Sequence, residues 1–197
     1  MATDSHQRPR RGALLVATPP LGDPNFDRTV VLLLEHNEYG TIGVVLNRPS
    51  PIGAVDALAQ QGIGTDLTGW APLLAEPARW FDGGPVGNDS LIAVAEGSGE
   101  PSSGWGPITA TLGSVDLAQP PDEISVRLGR VRIFRGYAGW SPGQLDAEME
   151  VGAWMVLDAT DDDVFTGDAA ELWRSVVRRQ GGRLAWIADA PDDLSAN

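Results

Sequence analysis

Apolar residues in this chain gather mostly in short unbroken runs, not in long helical stripes. ALLVA (13–17) and VVLLL (30–34) show no alternation and are rich in valine and leucine, the pattern of strands covered on both faces. TIGVVLN (41–47) repeats the pattern after EHNEYG, so the second and third runs predict a hairpin with a loop of about five residues, placing Glu35 and His36 at its mouth. Further on, WFDGGPVGNDSLIAVAEG predicts strand, glycine turn, strand. ITATLGSVDL predicts another strand region, RVRIFRGYAGW a strand running into a loop, and AWMVLDA a last strand.

Helical signals are fewer. Ser50 with Pro51 can cap and open a helix whose apolar face is Val55, Leu58 and Ala59 and whose stop is Gly62. PPDEISVRLG (120–129) reads as a short helix. The clearest helix is DAAELWRSVVRRQGG: Asp168 and Glu171 form a capping box, Leu172, Trp173, Val176 and Val177 make the stripe, and Gly181-Gly182 ends it. TPPLGDPNFDRT is a loop, with Asp23-Pro24-Asn25 as turn chemistry. Hairpins mixed with irregularly spaced helices define an α+β fold. The expected organisation is a tail over 1–11, one domain over 12–190 and a flexible C-terminal tail over 191–197.

Composition narrows the chemistry. With 197 residues, 42% of them hydrophobic, the chain can bury one substantial core. It has no cysteine and two histidines, His6 and His36, so thiolate chemistry and a histidine-rich metal site are excluded. The net charge is -13 and every one of the 14 cations is arginine. Such a chain repels nucleic acid unless its arginines cluster. Arg8, Arg10 and Arg11, and Arg178, Arg179 and Arg183, do cluster, and are read as a solvated tail and a solvated helix face. The start lacks the apolar segment of a secretory signal, and no apolar run is long enough to span a bilayer, so the expectation is a cytoplasmic protein. No cofactor and no metal are expected.

GWSPG (139–143) fits the nucleophile-elbow pattern, but its chemistry fails. The residue after Ser141 is Pro142, which has no N–H for an oxyanion hole, and both histidines precede the serine. The alternative explains each residue: Ser141 as N-cap, Pro142 at the first helical position, and Gln144 at the third. No catalytic residue is assigned.

Three motifs, LLVATPPLGDPNFDRTVVLLLEHNEYGTIGVVLNRP, FDGGPV and GYAGWSPGQLDAEM…GAW, occur in the order in which they resemble the YqgE/AlgH family of bacterial proteins. The match spans roughly Gly12 to Ala188. The resemblance implies a single α+β domain with a bifurcated sheet, partly rolled into a small barrel and flanked by helices. It implies no particular activity, although some members are described as regulators of alginate gene transcription. Many members have glycine where this chain has Ser141.

The candidate binding residues sit at strand exits and glycine turns, where a rigid scaffold can gather functional groups. They are Arg28, Glu35, Asn47, Arg48, Gly83, Gly84, Tyr137, Trp140, Gln144 and Glu148. Arg28 or Arg48 would supply positive charge, and Glu148 would oppose it. Asn47-Arg48, Gly83-Gly84 and the Tyr137–Gln144 stretch are expected to meet around one concavity. Gln144 and Glu148, four residues apart on a helix, face either a cleft or solvent. Trp140, Trp154 and Trp173 belong to the core, whereas Trp70, Trp80 and Trp105, near loops, are candidates for an exposed patch. The leading reading is a non-enzymatic module acting through a protein partner or a small anionic ligand. Its rivals are an enzyme using Arg28, Glu35, Arg48 and Glu148 on an anionic substrate, and a regulator that binds DNA directly.

Overall fold

The computed structural model describes residues 8–19, 26–53 and 69–188. In chain order the strands are β1 (Ala13–Ala17), β2 (Val30–Asn37), β3 (Gly40–Val45), β4 (Pro49–Gly53), β5 (Arg79–Asp82), β6 (Val86–Glu96), β7 (Trp105–Pro107), β8 (Leu112–Val115), β9 (Val131–Trp140) and β10 (Trp154–Asp158). The helices are α1 (Gln144–Glu150), α2 (Asp161–Val164), α3 (Leu172–Arg179) and α4 (Gly182–Ala188). Among the described residues no helix is long and apolar enough to cross a membrane.

The strands run in the order β10-β1-β2-β3-β9-β6-β8-β7, all antiparallel along this path. A branch leaves it at β9, where β5 pairs in parallel with Ile133–Arg135 and carries β4 on its other side. One side of β9 thus has two neighbours in succession, β5 along its first half and β3 along Ala138–Trp140. The sheet forks there.

The kink that makes the fork is Gly136, with φ 67°. Before it Phe134 faces one core and Ile133 another; after it Tyr137 packs on the first core while Ala138 and Trp140 face a third. A regular strand would keep even residues on one face, so the positive φ, accessible without strain only to glycine, resets the alternation. The first core fills the wedge between the diverging branches and is closed by α3, whose Leu172, Trp173, Val176 and Val177 are all buried. The other two cores lie on the outer faces.

The strands starting at Ala13, Val30 and Trp154, the strand–turn–strand at 79–96 and the α3 stripe match the sequence reading. Several expectations are corrected. Asn37 pairs directly with Gly40, so the hairpin loop is Glu38-Tyr39 alone, and Glu35 and His36 lie in β2. Ser50 and Pro51 lie in β4 and open no helix; Val55, Leu58, Ala59 and Gly62 fall outside the described residues, as do Asp23-Pro24-Asn25 and 191–197. The stretch 120–129 forms turns and extended chain, with Ile124 and Val126 buried against the outer sheet. GYAG is strand, not loop, because β9 continues to Trp140. Asp168 accepts the Glu171 N–H at 3.3 Å, half of a capping box, one turn ahead of the regular helix.

Candidate functional site

The fork is built from backbone in close contact. The Val45 N–H donates to the Gly83 carbonyl at 2.9 Å, the Asp82 N–H to the Arg48 carbonyl at 2.8 Å, and the Gly83 N–H to the Arg135 carbonyl at 2.8 Å. A Cβ on Gly84 would sit 2.2 Å from the Tyr137 carbonyl carbon, and one on Gly83 would sit 2.4 Å from the Gly136 oxygen. Only chain without side chains fits between the β3 exit and the bend of β9. This explains GG in FDGGPV and the first glycine of GYAGW.

Asn47 holds the next turn. Its Oδ1 accepts the Val30 N–H at 3.0 Å and its Nδ2 donates to the Arg28 carbonyl at 2.8 Å. Arg28 has φ 48°, a left-handed conformation uncommon for a residue with a side chain. Its guanidinium lies 5.3 Å from the centre of the Trp173 ring, a cation–π distance. On the other side of the fork, β6 bulges: four residues, Gly87 to Ser90, lie between its pairings with Tyr137 and Arg135, where β9 has only Gly136. All four are exposed. Arg135 donates to Asp82 at 3.0 Å and stacks 5.1 Å from the Trp80 ring centre.

The structure therefore brings Arg28, Asn47, Arg48, Gly83, Gly84 and Tyr137 to one junction. It does not bring Trp140, Gln144 and Glu148 there. Those three close a separate cluster on an outer face. Glu148 Oε2 accepts both indole N–H groups, from Trp140 at 2.9 Å and Trp154 at 2.7 Å, while Oε1 accepts the Gln144 amide at 3.0 Å. Gln144 Oε1 accepts the Ser141 N–H at 3.0 Å. Trp140 and Trp154 meet edge to face at 5.7 Å, and Phe26 packs on both. Of the two expected settings, Gln144 is exposed to solvent, while the half-buried Glu148 turns to the tryptophans and to Gln144.

The helix start is also corrected. The Gln144 N–H donates to the Ser141 carbonyl at 3.0 Å, and Gly143 has φ 75°, ψ -8°. With proline second and glycine third, Ser141–Gln144 is a type II turn. Pro142-Gly143 favours that turn over a helical first turn, so Gly143, not Ser141, occupies the N-cap position. Glu35 lies apart, near the far end of β2, paired with Arg11 at 2.9 Å. His36 Nδ1 and Thr41 Oγ1 are 2.7 Å apart. Arg10 pairs with Asp158, and Arg179 grips Asp163 through two hydrogen bonds of 2.8 and 2.9 Å, so the basic clusters are partly bound to carboxylates. Trp70, Trp80 and Trp105 are buried, each at 3% exposure or less, which removes the expected patch; Trp186 is the exposed one, at 84%.

Sequence reasoning missed Arg132. It is 1% exposed, 4.2 Å from the Phe81 ring centre, and donates to the carbonyls of Glu76, Val164 and Thr166 at 2.8–3.1 Å. Burial, with Arg130 nearby, pushes its pKa down to about 10, so it keeps its charge at neutral pH. It ties β9 to the end of α2. Its position between Val131 and Ile133, inside a predicted strand, was the available signal. Among the described residues no group of three or more acidic or histidine side chains is arranged to hold a metal.

A single α+β domain with a forked, mostly antiparallel sheet, its branches locked together by glycine backbone, is the class these features define. The chain belongs to the AlgH-like family (DUF179), which it matches over residues 14–185. It is 49% identical to a UPF0301 protein of Streptomyces avermitilis, with 94% of each chain covered, and 41% identical to a UPF0301 protein of Mycobacterium tuberculosis, covering 97% of this chain and 92% of that one. The crystal structure of protein DIP2367 from Corynebacterium diphtheriae superposes with a TM-score of 0.81 at 30% identity, covering 93% of each chain. The solution structure of the AlgH protein from Pseudomonas aeruginosa gives 0.65 at 26% identity, covering 95% of this chain and 99% of that one.

Proposed function

We propose that this protein is a non-enzymatic binding module that engages a protein partner or a small anionic ligand at the sheet fork. The observation carrying this reading is the convergence of the β3 exit, the Gly83-Gly84 turn and the kink of β9, with Arg28 and Arg48 beside them. Rigid backbone with cationic side chains at its margin suits binding more than proton transfer. The groups an acid–base mechanism would need are engaged in structural bonds: Glu148 with two indoles and an amide, Glu35 with Arg11, His36 with Thr41. Glu148 and Glu35 are also remote from the fork, which weighs against an enzyme built on the four charged residues.

Direct DNA binding is disfavoured by the net charge of -13 and by the carboxylate partners of Arg10, Arg11, Arg130, Arg135 and Arg179. Any regulatory role is thus assigned to contacts with a partner or ligand. A thermal-shift screen of metabolites and nucleotides tests this, because a ligand at ~100 times its Kd stabilises by ~2.7 kcal/mol. The expected result is a hit that Arg48→Ala abolishes. A hit of equal size in Arg48→Ala contradicts the reading.

A further inference from the structure

Near the β2–β3 hairpin the sheet carries exposed apolar residues. There Ile42, 40% exposed, pairs across the strands with Gly139, which is also exposed. A Cβ on Gly139 would lie 3.4 Å from the Tyr137 ring and 4.0 Å from a Val86 methyl, and Val86 is 39% exposed. Ile42, Gly139, Tyr137 and Val86 therefore form one continuous apolar strip across β3, β9 and β6. Tyr39, 82% exposed, stands at the tip of the adjoining hairpin. Gly139 leaves the strip flat, so another chain can lie against it.

The rim of this strip is acidic. Glu35 is the cross-strand partner of Ile42, Glu38 is exposed in the hairpin loop beside Tyr39, and Asp89 is exposed in the bulge that follows Val86. Arg11 offsets Glu35 alone among these. A second copy of a chain with net charge -13 would set like charges around the contact. A basic partner would meet complementary ones.

We propose that the strip Ile42–Gly139–Tyr137–Val86 docks a partner protein segment that carries apolar side chains flanked by lysine or arginine. This rests on the binding-module reading above and gives its protein partner a chemistry. It adds a surface beside the fork, where Gly84 lies against the Tyr137 backbone.

The test is a nuclear magnetic resonance titration of the full-length, 15N-labelled chain with a synthetic peptide alternating leucine and lysine, and with a leucine–glutamate control of the same length. The expected result is amide shifts confined to 37–42, 86–90 and 137–139 with the lysine peptide and none with the control. Ile42→Lys combined with Val86→Lys should weaken binding at least about tenfold, about 1.4 kcal/mol. Ile42→Ser with Val86→Ser, milder at exposed positions, replaces that pair if its spectrum loses dispersion. Shifts elsewhere, equal binding of the control, or a dimer in sedimentation that Ile42→Lys dissociates would each overturn the proposal. The titration reads the strip and the Arg48→Ala screen reads the fork, so either idea can fail alone.

Discussion

The two ends of the family signature make different kinds of structure. At Gly136-Tyr137 the chain contributes backbone: glycines let three segments touch. From Trp140 to Trp154 it contributes side chains, and these bond to one another until little of their polar chemistry is unused. Both ends are equally dense in distinctive residues. The comparison teaches that motif density marks constraint, imposed by close backbone contact at one end and by a side-chain hydrogen-bond cluster at the other.

Breaking the backbone end should cost most. Gly84→Ala forces a Cβ into the Tyr137 peptide at a φ of +151°, so a loss of about 3 kcal/mol or more is expected in urea unfolding. A cost below about 1 kcal/mol would mean that the branches can separate freely. At the side-chain end, Glu148→Ala strands two indole N–H groups of buried tryptophans, and about 2–3 kcal/mol should be lost. Glu148→Gln sharpens this: one amide oxygen can still serve the indoles, so the loss should be visibly smaller.

Asn47 lies between these extremes and the surface. Asn47→Ala removes both bonds that hold the Arg28 turn, with an expected cost of about 1–2 kcal/mol and increased hydrogen exchange at Val30. The smallest effect belongs to Glu96, whose pKa the Arg130 side-chain hydrogen bond lowers. A carboxylate with a depressed folded pKa stabilises above its ordinary value of 4.5 and loses that contribution as pH falls through the folded value. Glu96→Gln should therefore flatten the acid limb of the stability curve, by about 1 kcal/mol or less. An unchanged limb would contradict the pairing.

Much of this fold is legible in the sequence because short apolar runs have few other uses. ALLVA and the Leu172–Val177 stripe fall where their patterns indicate. Length and side of pairing are less legible. Glu35 and His36 look like loop because they are polar, yet the hairpin pairs through them. Ser50-Pro51 carries helix-start chemistry, but pairing with β5 overrides it. Of the candidate site, Asn47, Arg48, Gly83, Gly84 and Tyr137 could be grouped because strand exits and glycine turns gather at junctions. Trp140, Gln144 and Glu148 could not be separated from them, since the kink at Gly136 that turns the second half of β9 toward another core is a tertiary event. Arg132 was hidden for a similar reason: Val131 and Ile133 beside it hint at burial, but the three carbonyls that hold it come from segments remote in the chain.

The most direct test of the contrast between scaffold and surface is the thermal midpoint of Arg48→Ala and Glu148→Ala, measured side by side. For a chain of this length 1 kcal/mol corresponds to roughly 2–4 °C. Glu148→Ala should fall by roughly 4–12 °C, while Arg48→Ala stays within about 2 °C of the parent chain. An Arg48→Ala midpoint as low as that of Glu148→Ala would assign Arg48 to the scaffold and contradict the account.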